Sequence, residues 1–260
     1  MGDAYPRTGG CFRRLIDLRR EDDGAVVGWL EDDFHHFGVT IEHDGRTITA
    51  VRVESERYPF TTCSLAGTNL QGMVGRELVP RCTEIGAMVP MREQCTHMFD
   101  LAGLAMAHAA AGRSHRRYEA VIPDRDIIAW EAGMRRLLGA GEARLLRDGE
   151  EVLRWQIEKR MITGPREWAG QPLVDGFRAR TEKMAIDEAE AASVLRRAVM
   201  VSAGRTLDPD LFSSARDRGQ SGVCFTFLEE NRDAGKRNFG STLNYEKGGE
   251  GMLSRLRDRP

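Results

Sequence analysis

The stretch "FGVTIEHDGRTITAVRV" (residues 37–53) decides the fold class. Apolar and polar residues alternate on both sides of Asp44-Gly45, which is the spacing of half-buried strands. An Asp-Gly pair between two such runs predicts a hairpin turn, because both central residues of that turn need positive φ. A second pair, Asp148-Gly149, lies inside "EARLLRDGEEVLRWQIE" (142–158) and predicts a second hairpin. The sheet is therefore expected to be antiparallel.

Three segments have the end signals of helices. They cover residues 61–75 (with Thr61 or Thr62 as N-cap), 90–112 and 187–204. Glycine follows or closes each segment, and proline opens the second, as helix ends favour. The run "GVCFTF" (222–227) predicts a buried strand. These elements indicate an α+β fold: an antiparallel β meander with hairpins, packed with three or more helices in a single domain.

The chain is expected to divide into three parts. Residues 1–10 form a flexible N-terminus, and residues 11–228 form the single α+β domain. Residues 229–260 are charged and poor in apolar residues, which predicts a peripheral arm that is at least partly disordered.

Composition restricts the partners. The chain has 260 residues, 41% hydrophobic and 30% charged, with a net charge of −2. Neither nucleic acid nor an anionic membrane is favoured by such a balance, and no apolar run approaches the roughly 18–20 residues of a spanning helix. The N-terminus lacks the pattern of a secretory signal, and five irregularly spaced cysteines fit a reducing compartment. A cytoplasmic protein is expected; a homo-oligomer is compatible with the sequence.

The helix "CTHMFDLAGLA" (95–105) carries the first candidate site residues. Asp100 follows His97 by one helical turn, close enough to orient the imidazole, and Cys95 lies beside them. One interpretation makes His97 a general base or metal ligand. The other makes Cys95 a small buried hydrophobe and His97 a hydrogen-bonded residue at the core edge.

The segment "LEDDFHHFGV" (30–39) supplies acids next to two histidines. Read as a continuous strand, it puts Asp33 and His35 on one face, with Asp32 and His36 on the other. This predicts Asp33 and His35 as an acid–base pair. A solvated strand end is the alternative.

Thiols offer a different chemistry. Cys63 lies in the first turn of an expected helix, where the helix dipole favours a thiolate, and Arg57 is close in sequence. No cofactor is expected, but a zinc ion held by four ligands is the alternative. The ligands would be Cys63, Cys95, His97 and Cys224. No Cys-x-x-Cys pair supports this set.

Familiar catalytic signatures are missing from the sequence. It contains no Walker loop, no dinucleotide-binding Gly-x-Gly-x-x-Gly after a strand, no Gly-x-Ser-x-Gly and no His-Glu-x-x-His. Nucleotide-driven and α/β-hydrolase reactions are therefore disfavoured.

Six motifs in order resemble a bacterial family known as domain of unknown function 2889. They are "EDDFHHFGVTIEHDG", "ERYPFTTC", "CTHMFDLAGLA", "GPREWAGQPLVDGF", "ASVLRRAVMVSAGR" and "GVCFTF" with the following "AGKRNFGST". The resemblance covers roughly residues 11–245, with Met98 where leucine is usual. It implies a family associated with the breakdown of aromatic compounds and a shared functional site. The residues of that site would be Asp33, His35, Arg57, Cys63, Cys95, His97 and Asp100.

The expected function is a non-redox lyase that acts on a small phenolic, lignin-derived compound by acid–base elimination, for example with release of formaldehyde. His97 or His35 would be the base, Asp33 or Asp100 its orienting partner, and Arg57 the stabiliser of the developing phenolate. The substrate-binding residues would be Tyr58, Phe60, Cys63 and Trp168. The alternatives are a metal-binding or iron–sulfur-related accessory protein and a non-catalytic protein that binds an aromatic ligand.

Overall fold

The computed structural model of the protein describes residues 5–131 and 135–254. Its contacts group the chain into two compact units. Unit 1 contains the residues before 16, residues 118–209 and residues 244–252. Unit 2 contains residues 16–117, residues 210–243 and the residues after 252. That residues 11–228 fold as a single domain stays a prediction.

Unit 2 contains an antiparallel sheet with one long helix. The strands are β1 (Cys11–Arg20, of which the second half belongs here), β2 (Val26–Asp32), β3 (His36–His43) and β4 (Ile48–Arg57), and the helix is α1 (Thr96–Ala110). The strand order is β1-β2-β3-β4. The hairpin expected at Asp44-Gly45 is confirmed, with a loop of residues 44–47 in which Asp44 Oδ1 accepts the main-chain N–H groups of Arg46 and Thr47.

Helix α1 packs on β2 and β3. A glycine makes this approach possible: a Cβ at Gly28 would lie 3.1 Å from Leu101 Cδ1 of the helix and 2.9 Å from Leu18 Cδ2 of β1. Ten of the helix residues are buried, so α1 is a core helix along most of its length. Its first turn, with His97 and Asp100, and its last two residues are open or partly open to solvent.

Three of the expected elements of unit 2 differ from the sequence prediction. Residues Thr61–Met73 form a 3-10 segment, and Gly75 follows it with φ 82°. The helix expected from residue 90 begins at Thr96, after the short 3-10 turn Met91–Glu93, and Gly112 ends it with φ 62°. The strand expected at 222–227 is wrong: Phe225–Phe227 is a 3-10 turn after Cys224. The remaining short 3-10 turns of unit 2 are Cys82–Ala87 and Arg216–Arg218.

Unit 1 is also a sheet with helices. Its strands are β5 (His115–Pro123, from residue 118 onward), β6 (Ile127–Glu131), β7 (Arg135–Leu138), β8 (Gly141–Arg147), β9 (Glu150–Glu158), β10 (Met161–Gly164) and β11 (Gln171–Pro172). Its helices are α2 (Phe177–Thr181) and α3 (Ile186–Ser202), with a 3-10 turn at Ala203–Thr206. A further 3-10 turn, Pro209–Leu211, has only its first residue in unit 1. Strand β5 is followed in the sheet by β8, β9, β10 and β11, while β6 and β7 form a separate hairpin.

The second Asp-Gly hairpin is confirmed as well. Strand β8 ends at Arg147 and β9 begins at Glu150, with Asp148 at φ 53° and Gly149 at φ 89°. Both turn residues have the positive φ that a two-residue turn requires. Helix α3 packs on β8 and β9, where Tyr118 donates a buried hydrogen bond of 2.5 Å to Glu190 of the helix.

The described chain confirms the α+β class with antiparallel strands and three α-helices. None of the helices in the described ranges is long and apolar enough to cross a membrane. The flexible N-terminus and the C-terminal arm stay predictions in part, because residues 1–4 and 255–260 lie outside the described residues. The described part of the expected arm, residues 229–254, has an irregular backbone, yet Arg237, Met252 and Leu253 in this range are buried.

Candidate active site

The turn between β2 and β3 positions the first two site residues. The main-chain N–H of Asp32 donates to His35 O over 2.9 Å. In return, Asp32 Oδ1 accepts the N–H groups of Phe34 (2.8 Å) and His35 (2.9 Å). Aspartate closes turns in this way because its short side chain reaches the backbone two residues on. The chain therefore reverses at residues 33–35, and the continuous strand assumed from the sequence is wrong here.

Because the chain reverses here, the carboxylate next to His35 is that of Asp32 and not that of Asp33. The Nδ1 of His35 lies 3.0 Å from Asp32 Oδ1, with the aspartate side chain fully buried and the histidine side chain 10% exposed. A buried carboxylate in this position favours the tautomer with the proton on Nδ1, which leaves the lone pair of Nε2 as the basic position. The alternation of a strand pointed to Asp33 as the partner; the distance in the structure identifies Asp32. Asp33 is buried, and its carbonyl oxygen is used in the contacts described below.

Helix α1 brings a second imidazole to this pair. The rings of His35 and His97 are stacked, with centroids 3.7 Å apart and planes inclined by 26°. His97 is the second residue of α1 and is half-buried. Its Nδ1 lies 3.8 Å from the sulfur of Cys95, the N-cap residue. Two histidines that are far apart in the sequence thus share one neighbourhood.

Arg57, at the end of β4, holds the β2–β3 turn in place. Its side chain is 14% exposed and forms a salt bridge of 3.1 Å with Glu31. Its guanidinium donates to the main-chain oxygens of Asp32 (2.6 Å), Asp33 (2.9 Å), His35 (3.3 Å) and Ser241 (3.2 Å). These contacts fix the backbone that carries the Asp32–His35 pair. The role expected for Arg57, stabilisation of a phenolate, stays a prediction.

Residues 236–243 form a strap that runs beside the turn. The main-chain N–H of Leu243 donates to Asp33 O over 2.8 Å. Asn238 donates its side-chain amide to Tyr58 O and its main-chain N–H to Pro59 O. Arg237 secures the strap internally by donating to Ser241 Oγ and Thr242 Oγ1. This part of the expected arm is therefore tied to unit 2.

Cys95 lies near His97, but neither its thiol nor that of Cys63 is activated. Cys63 is buried and its sulfur lies 3.4 Å from Thr226 Oγ1. Burial raises the pKa of the Cys63 thiol to about 12 and also raises the pKa of Cys95. Cys224 adds to both shifts through electrostatic repulsion. Both thiols are therefore protonated at neutral pH and are poor nucleophiles.

One group of candidate metal ligands stands out among the described residues. A ligand atom from each of Asp32, His35 and His97 lies within 4.8 Å of the others. This group shares only His97 with the four-ligand set predicted from the sequence. The set with Cys63, Cys95 and Cys224 stays a prediction.

The aromatic residues expected to line a pocket have different surroundings. The Tyr58 ring lies 6.3 Å from Phe37, whose ring lies 5.9 Å from His35 and 6.4 Å from His97. Phe60 is buried with its ring 5.6 Å from Phe227. Tyr58 is thus connected to the histidines through Phe37, a residue that the sequence analysis did not select.

Asp100 and Trp168 were also expected in the site. Asp100 is half-buried, one turn after His97 on α1. Trp168 belongs to unit 1, where its ring packs against Trp155 at 5.0 Å and Phe177 at 5.9 Å and the Arg180 guanidinium lies 4.4 Å above it. Trp168 is 4% exposed, and it also lines a cavity of unit 1 with Gln171 and Lys183. Its role in substrate binding stays a prediction.

The comparison with known protein families agrees with the resemblance of the first three motifs; the resemblance of the later three stays a prediction. Residues 14–111 match the family described as protein of unknown function (DUF2889). No curated protein matches the chain. The matched range contains Asp32, His35, Arg57, Cys63, Cys95 and His97.

Proposed function

Starting from the membership of residues 14–111 in this family of unknown function, we propose that the protein is a non-redox lyase. Its substrate would be a small phenolic compound derived from lignin, and the reaction an acid–base elimination that releases formaldehyde. The observation that supports this proposal best is the Asp32–His35 pair, with Oδ1 and Nδ1 3.0 Å apart, under the stacked ring of His97. The aromatic substrate class comes from the family resemblance alone.

In this proposal, His35 is the general base. Asp32 holds the Nδ1 proton and favours the protonated ring once Nε2 has accepted a second proton. The phenol first loses its proton and expels its benzylic oxygen substituent, which takes up a proton as it leaves, so that a quinone methide forms. Nε2 then removes the hydroxyl proton of the neighbouring hydroxymethyl group. The O–H electron pair becomes the C=O bond of formaldehyde, and the C–C bond breaks. Its electron pair enters the quinone methide, which becomes a phenolate, so that no oxidant or reductant is required.

His97 is suited to return the proton. Two imidazolium rings stacked 3.7 Å apart would repel each other strongly in a partly buried site. The pair therefore favours one shared proton over two. A proton taken by His35 can pass to the phenolate product through His97, the more exposed of the two rings. Arg57 acts in this scheme through the backbone of the turn that carries His35.

The test is formaldehyde release from a panel of phenylcoumaran- and diarylpropane-type acids. The decisive variant is His35→Asn, which keeps a hydrogen-bond donor near Asp32 but removes the base. We expect turnover to fall by about 10²–10⁴-fold, the usual contribution of a general base.

The chain offers a matched control in unit 2. His115 Nε2 lies 3.1 Å from Asp17 Oδ2, but the His115 side chain is 46% exposed. His115→Asn should leave turnover unchanged. Absence of formaldehyde and of any other product across the panel would contradict the lyase proposal. Tight binding of the same acids without turnover would instead favour the non-catalytic binding protein.

We also propose that the protein works in the cytoplasm. Cys11, Cys63, Cys82, Cys95 and Cys224 are all free thiols in the described chain, which fits a reducing compartment. Fractionation of cells that produce the protein at its natural level, with detection by antibody, tests this; recovery in an oxidising compartment would contradict it.

A further inference from the structure

We infer that Asp32, His35 and His97 form a binding site for one divalent transition-metal ion. This site differs from the cysteine-based zinc site that the sequence suggests. It rests on the same three residues as the proposed base but not on the lyase reaction, because an ion can bind there whether or not the protein catalyses anything.

The donor set fits such an ion. Two imidazoles and one carboxylate are the ligands of many zinc and non-haem iron(II) sites, which leave further positions open to water or substrate. Sulfur is absent from the set, and Ca²⁺ and Mg²⁺ prefer oxygen ligands alone. The chemistry of these three residues therefore favours Zn²⁺, Fe²⁺ or Co²⁺.

The distances are close to those of a bound ion. One ligand atom from each residue lies within 4.8 Å of the other two. A tetrahedral ion with bonds of about 2.0–2.2 Å holds its ligands roughly 3.3–3.6 Å apart. Binding therefore requires the two stacked imidazoles to rotate so that their lone pairs meet at one ion. His97, on the first, half-buried turn of α1, is the more exposed of the two rings.

The surroundings of Asp32 resemble those of a metal-binding carboxylate. Its Oδ1 accepts two main-chain N–H groups, from Phe34 and His35, and Arg57 fixes the same turn through Asp32 O and His35 O. Such outer hydrogen bonds orient the ligands of metal sites.

Ion binding and the proposed elimination compete for the same group. A ring nitrogen of His35 that coordinates an ion cannot accept the hydroxyl proton of a substrate. Bound Zn²⁺ should therefore inhibit the lyase reaction, and the two proposals can be tested separately.

The binding test uses protein freed of metal by a chelator and titrated with Co²⁺, followed by its visible absorption, and with Zn²⁺, followed by calorimetry. We expect about one ion per chain for the wild-type protein. His97→Ala and His35→Asn should each weaken binding by at least about 100-fold, since loss of an outer partner alone costs 10–100-fold. His115→Asn, at the other Asp–His pair, should bind as the wild type does.

Two further variants separate this site from the cysteines. Cys63→Ser and Cys95→Ser should keep Co²⁺ binding, and the Co²⁺ spectrum should lack the intense bands of thiolate ligands. Far-UV circular dichroism confirms that each variant is folded; His97→Gln replaces His97→Ala if the latter is not. Wild-type protein that binds no ion, or binding that survives at both histidine variants, overturns the site.

The outcomes also distinguish this inference from the lyase proposal. Metal-free protein that releases formaldehyde supports the lyase, whatever the titrations show. Turnover that requires added Zn²⁺ or Co²⁺ would support the metal site and contradict a base without cofactor. Stoichiometric binding with no turnover would leave the metal site standing alone.

Discussion

The side chain of Asp32 has two roles. It closes the β2–β3 turn by accepting two main-chain N–H groups, and it holds the Nδ1 of His35 at 3.0 Å. The turn could have been predicted from the sequence, since aspartate favours turns. It was missed because the flanking residues also fit a continuous strand. The sequence therefore predicted an acid–base pair in this segment but selected the neighbouring aspartate.

Substitutions of Asp32 and Asp33 test which of the two aspartates assists His35. Asp32→Asn keeps a side-chain oxygen for the turn but loses the carboxylate that stabilises a protonated His35. In the lyase proposal, we expect kcat to fall by about 10²–10⁴-fold, as when the aspartate of a catalytic triad becomes asparagine. Asp33→Asn should have a much smaller effect on kcat, because the carboxylate that lies 3.0 Å from His35 Nδ1 belongs to Asp32. An equal loss in both variants would contradict the assignment of Asp32.

Arg57 is expected to act as a positioning residue. Its guanidinium contacts Glu31 and the main chain on both sides of the turn. Arg57→Gln leaves the buried carboxylate of Glu31 without this cation, and we expect a loss of about 2–4 kcal/mol in the free energy of unfolding. Urea unfolding at neutral pH measures this change.

The kinetics of the same variant distinguish positioning from substrate binding. A displaced His35 should lower kcat by about 10–100-fold with KM nearly unchanged, and Arg57→Lys should recover part of the loss because it keeps the charge. A large rise in KM with kcat preserved would show that Arg57 contacts the substrate instead.

Among the elements, the hairpins were the easiest to predict. Asp-Gly pairs between alternating runs are local signals, and both hairpins are present. The start of α1 was predicted less well, since α1 begins at Thr96 and not at Pro90. The ends of α3 (Ile186–Ser202) lie within two residues of the prediction. The "GVCFTF" run failed because a short apolar segment fits a strand and a buried turn equally well by periodicity. There, the main-chain N–H of Phe225 bonds to Gln94 O and not to a neighbouring strand.

Helix α1 contains a histidine that makes stability depend on pH. His108 is fully buried, and burial, with a smaller effect of Arg113, lowers its pKa to about 4 from the ordinary value of 6.5. The unfolded chain therefore binds a proton on this ring more readily than the folded chain. The folded state should lose stability as the pH falls from about 6.5 to about 4, by up to about 3 kcal/mol from this residue.

The matched variant is His108→Gln, which is neutral throughout this range. Chemical unfolding at pH 7.5 and pH 4.5 should show a smaller loss of stability on acidification for the variant than for the wild type. Because other groups titrate in the same range, the difference between the two proteins is the measured quantity. Equal losses would contradict the effect of burial on His108.

At the scale of the whole molecule, nearly all the residues that match the family belong to unit 2. Residues 14–111 nearly coincide with the segment 16–117 of that unit, and the site histidines, their aspartate and Arg57 all lie inside it. Trp168, by contrast, lies in the aromatic core of unit 1. The sequence selected it as a pocket wall because aromatic residues in turns often line pockets. Its burial could not be read from a local pattern.

Long-range placement marks the limit of prediction from sequence. Both site histidines could be selected as reactive residues next to acids, but their stacking depends on how α1 packs on β2 and β3. The strap of residues 236–243 is likewise held at the turn by hydrogen bonds to main-chain oxygens. Any residue type can supply a main-chain oxygen, so such bonds cannot be recognised in the sequence. Local chemistry identified the residues, and tertiary packing decided which of them meet.

The claim that Asp32, His35 and His97 form one site is tested most directly by NMR of the imidazoles in ¹⁵N-labelled protein, with His35→Asn and His97→Gln used to assign the signals. The structure predicts a strong nuclear Overhauser effect between the ring protons of His35 and His97, and a His35 tautomer with its proton on Nδ1. Absence of that effect, or a His35 ring protonated on Nε2 alone, would contradict the account.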